Sequence, residues 1–304
     1  MRVLVTGGAG FIGSHVVDGL VAAGHTVAVV DDLSSGRRES VHAAAALHVC
    51  DIRSPELARV VREVRPRALV HLAAQAAVPR SVEDPQFDAA VNILGTINLL
   101  EAARAAGTER VVYISTGGAA YGDTPVLPTP EDHPTRAISP YGVSKVTAER
   151  YLECWTGMSA MTGMSLRLAN VYGPRQQAEG EAGVVAIFAR RLLSGTPCRI
   201  YGDGEQTRDY VYVGDVAEAT MSALARDAAG VVNVGTARET SVNTLYRLMC
   251  VALGVSRAAE HAPARPGDVR RSVLDNARAR AVLDWTPRTP LERGLASTIE
   301  SMRS

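Results

Sequence analysis

The segment Thr6-Gly7-Gly8-Ala9-Gly10-Phe11-Ile12-Gly13 constrains the fold more than any other, because of what flanks it. An aliphatic run, residues 2–6, leads into it. A stretch whose apolar positions Ile12, Val16 and Leu20 recur every four residues leads out. A strand that turns into a helix on glycines places backbone N–H groups at the helix amino terminus and lets a pyrophosphate approach the main chain closely. An isolated glycine triplet reads equally well as a flexible turn. Set between a strand and an amphipathic helix, Gly7, Gly10 and Gly13 predict a dinucleotide site. Their spacing is G-x-x-G-x-x-G, and Gly8 with Gly10 also forms a G-x-G.

The rest of the first half repeats this alternation. Strand patterns fall at 2–6, 26–30, 46–50, 68–72, 110–115 and 165–168, and helical patterns at 11–23, 54–64, 87–106 and 140–155. Short apolar runs separated by longer helical stretches predict an α/β chain, a Rossmann-type doubly wound parallel sheet. After residue 172 the alternation weakens. We expect a nucleotide-binding domain over 1–172, rejoined by 211–236, and a smaller substrate-binding lobe from 173–210 and 237–304. With 304 residues, 46% of them apolar, such a chain builds its core without covalent staples.

Composition narrows the partners. The 32 basic and 32 acidic residues cancel and are scattered, so the chain carries no electrostatic footprint for nucleic acid or an anionic membrane. Cys50, Cys154, Cys198 and Cys250 stand far apart, which suggests neither a zinc site nor a disulfide framework, and no metal is expected. The chain enters a strand pattern at once, and it has no apolar run long enough to span a bilayer. The expected location is therefore the cytoplasm.

At the end of the second strand stand Asp31 and Asp32. A carboxylate there accepts hydrogen bonds from the adenosine ribose and repels an extra 2′-phosphate, which favours NAD over NADP. Arg37 and Arg38 argue the other way unless they form a solvated basic turn. Asp51, before Ile52, reads either as an adenine contact or as a helix cap.

Further along, Ser139-Pro140-Tyr141-Gly142-Val143-Ser144-Lys145 has the form of a helix start, with Ser139 as N-cap and Pro140 at the first helical position. Tyr141 and Lys145 then lie one turn apart on one face. An ammonium beside a phenol lowers the phenol pKa and makes it a usable base near neutrality.

Together, the Gly7–Gly13 turn, Asp31, the segment His71-Leu72-Ala73-Ala74-Gln75, Asn92, Ser115-Thr116 and the Tyr141/Lys145 pair resemble the extended short-chain dehydrogenase/reductase family. The segments 115–122, 170–176 and 201–210 are similar to those of bacterial UDP-glucose 4-epimerases, and the likeness spans nearly the whole chain. The resemblance implies NAD contacts from Gly7, Gly10, Phe11, Ile12, Asp31, Asp51, Ile52, Leu72, Ala73, Gln75, Asn92, Tyr141 and Lys145, with Gly13, Asp32, Ala74 and Ser115 in the same segments. It implies that Asn170, Val185, Arg208, Arg265 and Asp268 hold the nucleoside diphosphate of a UDP-sugar. It also implies a homodimer through helices 87–106 and 140–155.

The chain departs from the family pattern at one place. The hydroxyl that such enzymes set near the sugar 4-OH aligns with Gly117, so Thr116, Ser115 or a water in the space beside Gly117 must replace it. Gly118 and Ala119 stand where 4,6-dehydratases carry an acid and a base, which argues against elimination. The expected activity is 4-epimerisation of UDP-glucose and UDP-galactose through a transient 4-ketosugar. Ser272 leaves room for the N-acetylated pair. UDP-glucuronate is an alternative if Arg190 or Arg191 meets its carboxylate. A net dehydrogenase or reductase, or a non-catalytic NAD-sensing module, are the remaining readings.

Overall fold

The computed structural model describes residues 1–177, 183–264 and 269–303. Its central sheet is built from β1 (Arg2–Thr6), β2 (Thr26–Asp31), β3 (Ala46–Val49), β4 (Ala68–His71), β5 (Arg110–Thr116), β6 (Thr162–Leu168) and the late strand Gly230–Val234. All pairs are parallel, and the order across the sheet is Gly230–Val234, β6, β5, β4, β1, β2, β3. The order reverses at β1, which bonds β2 on one side and β4 on the other. A crevice therefore opens at the carboxyl ends of β1 and β4.

Alternation along the strands builds two cores, because successive side chains point to opposite faces. Val3, Val5, Val29, Val70 and Val112 pack with Val16 and Leu20 of α1 (Phe11–Ala22) and with Val216 and Ala219 of the helix Val213–Ala225. Leu4, Val30, Leu69, Val111 and Tyr113 face the helices Leu57–Val64, Thr96–Ala105 and Pro140–Gly157. A fully buried side chain of this kind contributes about 1.5–3 kcal/mol. Tyr172, Val185, Phe188, Leu192, Leu245 and Leu295 form a third core beyond the sheet.

The chain leaves the sheet after β6, and Asn170–Tyr172 pairs in parallel with Tyr210–Tyr212. The helix Val213–Ala225 then packs on α1, and Gly230–Val234 adds to β6. Three elements differ from the sequence pattern, the helix expected over 54–64 beginning at Leu57. β6 starts three residues early, at Thr162 rather than 165, because pairing with Arg110 and Val111 carries Thr162 and Gly163 into the sheet. The helix expected over 87–106 is three pieces, Pro85–Ala89, a π-helical turn Ala90–Gly95, and Thr96–Ala105.

Candidate active site

Gly7 follows β1 with φ +71°, and a Cβ there would lie 2.6 Å from the backbone nitrogen of Ala73. The turn is thus pressed against the chain leaving β4, which only glycine permits. α1 begins after Gly10, which offers no side-chain cap, and its first turn holds no acidic residue. The N–H groups of Phe11, Ile12 and Gly13 at this helix start suit an anion. A cavity of about 600 Å³ opens beside the turn, lined in part by Phe11, Arg37, Arg175 and Gln177.

Asp31 closes the turn from the other side. Its Oδ2 accepts from Ala9 N–H and its Oδ1 from Leu33 N–H, both at 2.9 Å, and burial raises its pKa. The exposed Asp32 accepts from the backbone and hydroxyl of Ser34. Asp51 pairs with Arg53, and the next helix starts only at Leu57, so Asp51 is no helix cap. Ile52 is buried. Arg37 donates its backbone N–H to Ala9 O, while Arg38 lies exposed in a 3₁₀ turn. Close backbone approach, an uncapped helix and a carboxylate at the end of β2 together fit NAD.

Leu72 and Ala73 donate backbone N–H groups to Thr6 O at 3.0 and 3.1 Å, which brings the segment through Ala74 alongside the turn. Gln75 and Asn92, expected at the cofactor, are bonded to one another. Asn92 Oδ1 accepts from Gln75 N–H at 2.8 Å, and Asn92 Nδ2 donates to Gln75 O, Asp88 and Ser144. Gln75 Nε2 donates to Asp88 and to Ala77 O. These amides are spent on one another, bracing the crevice wall to the helix of Tyr141. Asn92 sits within the π-helical turn, a distortion often found at functional sites.

Ser139 caps the helix Pro140–Gly157, its hydroxyl accepting from Gly142 N–H at 3.2 Å. The Thr116 hydroxyl, at the end of β5, lies near enough to Tyr141 to act on its phenol. Burial pushes the phenol up to about 12, and the Thr116 hydroxyl pulls it the other way. The ammonium of Lys145 rests 4.3 Å from the centre of the Tyr113 ring. Burial brings it down to about 7, opposed by Glu149 and Asp88. The phenol pKa is therefore raised and not lowered as the spacing predicted, because burial is the largest influence on it.

Thr116 and Ser115 separate clearly. Ser115 donates to Glu149 Oε1 at 2.5 Å and is committed there. Glu149 also holds Arg167 through both carboxylate oxygens, and Arg167 donates to Tyr121 OH at 2.8 Å. A Cβ at Gly117 would lie 2.5 Å and 2.7 Å from the two methyl carbons of Leu274, so that space is filled and offers no place for a water. Thr116 is the hydroxyl left beside Tyr141. Glu149 was open to sequence reasoning, since it lies one turn beyond Lys145. Leu274 left no local signal.

On the substrate side, Asn170 stands exposed just past β6, and Val185 is buried near the start of the helix Val184–Leu193. Arg208 pairs in register with Ser272 and donates to Thr207 O. Gly118 faces Ser272 Oγ and Asn170 Oδ1, 3.8 and 3.9 Å from where its Cβ would be. Arg191 donates to Pro197 O, and Arg190 lines the cavity beside the glycine turn. Arg265 and Asp268 lie outside the described residues. Among the described residues no His, Cys, Asp or Glu cluster could hold a metal ion, and no helix is long and apolar enough to cross a membrane.

A chain that seats a dinucleotide at a switch point, with a tyrosine on the adjoining wall, belongs by its architecture with the nicotinamide-dependent short-chain enzymes. The NAD dependent epimerase/dehydratase family model matches residues 3–235, and the chain belongs to that family. It is 48% identical to a UDP-glucose 4-epimerase of Mycolicibacterium smegmatis, covering 100% of this chain and 99% of that one. It superposes on the crystal structure of a UDP-glucose 4-epimerase with UDP-glucose from Thermotoga maritima with a TM-score of 0.98. Those two are 46% identical over 100% of this chain and 99% of the other. A Thermus thermophilus UDP-glucose 4-epimerase in complex with NAD gives 0.95 at 47% identity, with the same coverage.

Proposed function

We propose that the protein is an NAD-dependent 4-epimerase of a UDP-sugar, interconverting UDP-glucose and UDP-galactose. The observation that carries this is the placement of the Thr116 hydroxyl, at the carboxyl end of β5, where it pulls on the Tyr141 phenol, with Gly118 and Ala119 in place of carboxylates. A phenol and a hydroxyl can move one proton. Elimination would need an acid and a base that this stretch lacks.

When bound, NAD supplies the acceptor for the C4 hydride and returns it. The chain supplies the rest. Tyr141 Oη takes the proton of the sugar 4-OH and later returns it to the 4-keto oxygen, while Thr116 holds that oxygen within reach of the phenol. Arg208 and Asn170 anchor the nucleoside diphosphate end, so the sugar is held loosely enough to turn over between the two transfers. The small side chain of Ser272, which faces Gly118, supports the N-acetylated pair as further substrates.

Residues 1–172 with 211–236 serve as the NAD domain, and 173–210 with 237–304 as the sugar-nucleotide lobe. The protein acts in the cytoplasm as a homodimer. Leu94 and Val143, 62% and 51% exposed on neighbouring helices, supply an apolar face for the pairing, which sedimentation tests.

The decisive assay gives the purified protein UDP-galactose and no added nicotinamide, with products separated by chromatography. UDP-glucose should accumulate to equilibrium with no net change in nicotinamide absorbance. Stoichiometric consumption of NAD would make the protein a dehydrogenase, and bound NAD without turnover would make it a sensing module.

A further inference from the structure

Lys145 is 3% exposed, and a buried ammonium is costly unless its surroundings compensate the charge. Two carboxylates lie in its neighbourhood, and both are committed elsewhere. Glu149, on the same helix, is taken by Arg167 of β6 and Ser115 of β5. Asp88, from Pro85–Ala89, is taken by Gln75 and Asn92. Neither forms an ion pair with Lys145. His71, from β4, is bonded to Thr6 and Thr96, and burial brings its pKa down to about 3, so it adds no charge near neutrality. What the ammonium meets is the face of the Tyr113 ring.

Tyr113 is fully buried, and its hydroxyl has no hydrogen-bond partner among the described residues. A buried phenol that leaves its oxygen unsatisfied gains nothing from that oxygen. Its ring, by contrast, presents a negative quadrupole face to a desolvated cation, where such contacts are strongest. We propose that Tyr113 is a positioning residue for the epimerisation: its ring face seats the Lys145 ammonium, with Glu149 as the more distant counter-charge. The inference rests on the reading of Lys145 as part of the active site. The aromatic face, and not the phenol oxygen, is what position 113 contributes.

The test compares Tyr113→Phe, Tyr113→Leu and Tyr113→Met in the full chain, with Lys145→Met alongside. Readouts are kcat and KM for UDP-galactose across pH, retained NAD, and the thermal midpoint. Tyr113→Phe should stay within about twofold of wild type in kcat. Tyr113→Leu and Tyr113→Met should lose about tenfold in kcat with little change in KM. Without the ring the ammonium gives up its proton more readily. Activity that needs it protonated should then fall off at lower pH in Leu and Met but not in Phe. The methionine variant keeps the core filled if the leucine variant proves unstable.

Wild-type kcat and an unmoved alkaline limb in both aliphatic variants would overturn the proposal. So would a phenylalanine variant as impaired as they are. An active Lys145→Met would sink the reading of Lys145 itself, whereas an inactive one beside unaffected aliphatic variants would sink only the seat.

Discussion

Gly117 and Leu274 form a matched pair, and a double-mutant cycle measures the match. In Gly117→Ala the new Cβ would approach Leu274 Cδ1 at 2.5 Å, Cδ2 at 2.7 Å and Cγ at 3.1 Å. Leu274 is 2% exposed, and its main chain is tied down: its N–H donates to Asp209, and its neighbours Val273 and Asp275 bond to Thr129. The leucine can give way only by leaving its rotamer, so overpacking should cost about 1–3 kcal/mol. Leu274→Ala alone leaves a cavity and should cost about 2–5 kcal/mol. In the double variant the added methyl enters the vacated space. The double should therefore be more stable than the sum of the singles by about 1–3 kcal/mol. Urea unfolding followed by fluorescence of the buried Trp285 gives the three values. Additivity within about 0.5 kcal/mol would refute the packing argument, and with it the reason for excluding a water beside Gly117. A kinetic arm asks the complementary question. Thr116→Val should cost less in a Gly117→Ser/Leu274→Ala background, where a second hydroxyl fits, than in the native one.

Three further outcomes follow from the site. Tyr141→Phe should lower kcat by about 10²–10⁴ while leaving retained NAD unchanged, read by product chromatography and cofactor release on denaturation. Thr116→Val removes a hydroxyl that lowers the phenol pKa. Because the deprotonated phenol is the working base, the ascending limb of the pH–kcat profile should move to higher pH; an unmoved limb would remove Thr116 from the proton path. Glu149→Leu strips a buried guanidinium of its partner and should cost about 3–5 kcal/mol of stability, seen as a lowered thermal midpoint, while replacing Glu149 and Arg167 together with Leu and Met should recover part of that loss.

The sheet was legible because its signals are local. Strand runs such as 68–72 and the helix periodicity of Ile12, Val16 and Leu20 report burial on a repeat that sequence displays directly. The glycine turn and the Ser139 cap are also local, and each fell where its residues placed it. What escaped depends on residues distant in the chain. Asn92 is identified as a brace only once Gln75, seventeen residues before it, and Ser144, fifty-two residues after it, stand beside it. Leu274 fills the space beside Gly117 from more than 150 residues away, and no pattern near either position announces it. The break in the helix over 85–105 has the same origin, since the residue at its π-helical turn is bonded across the crevice wall.

The Tyr141/Lys145 pair shows a different limit. Spacing places two side chains on one face, but it does not say which electrostatic effect wins there. Burial drives both groups toward their neutral forms, the phenol up to about 12 and the ammonium down to about 7. Burial thus favours the protonated phenol of Tyr141 and works against the charge on Lys145. For Tyr141 to become a base, more positive charge must stand beside it than Lys145 on its Tyr113 seat provides. An oxidised nicotinamide held in the crevice between the glycine turn and Tyr141 would supply such a charge, and would do so only while able to accept hydride. Base strength and hydride acceptance would then rise and fall together, which suits a reaction that removes a proton and a hydride from one carbinol and later restores both. An ultraviolet difference titration of Tyr141, isolated by subtracting the Tyr141→Phe variant, should give a lower phenol pKa with oxidised than with reduced cofactor bound. Equal values would show that the protein alone sets the base.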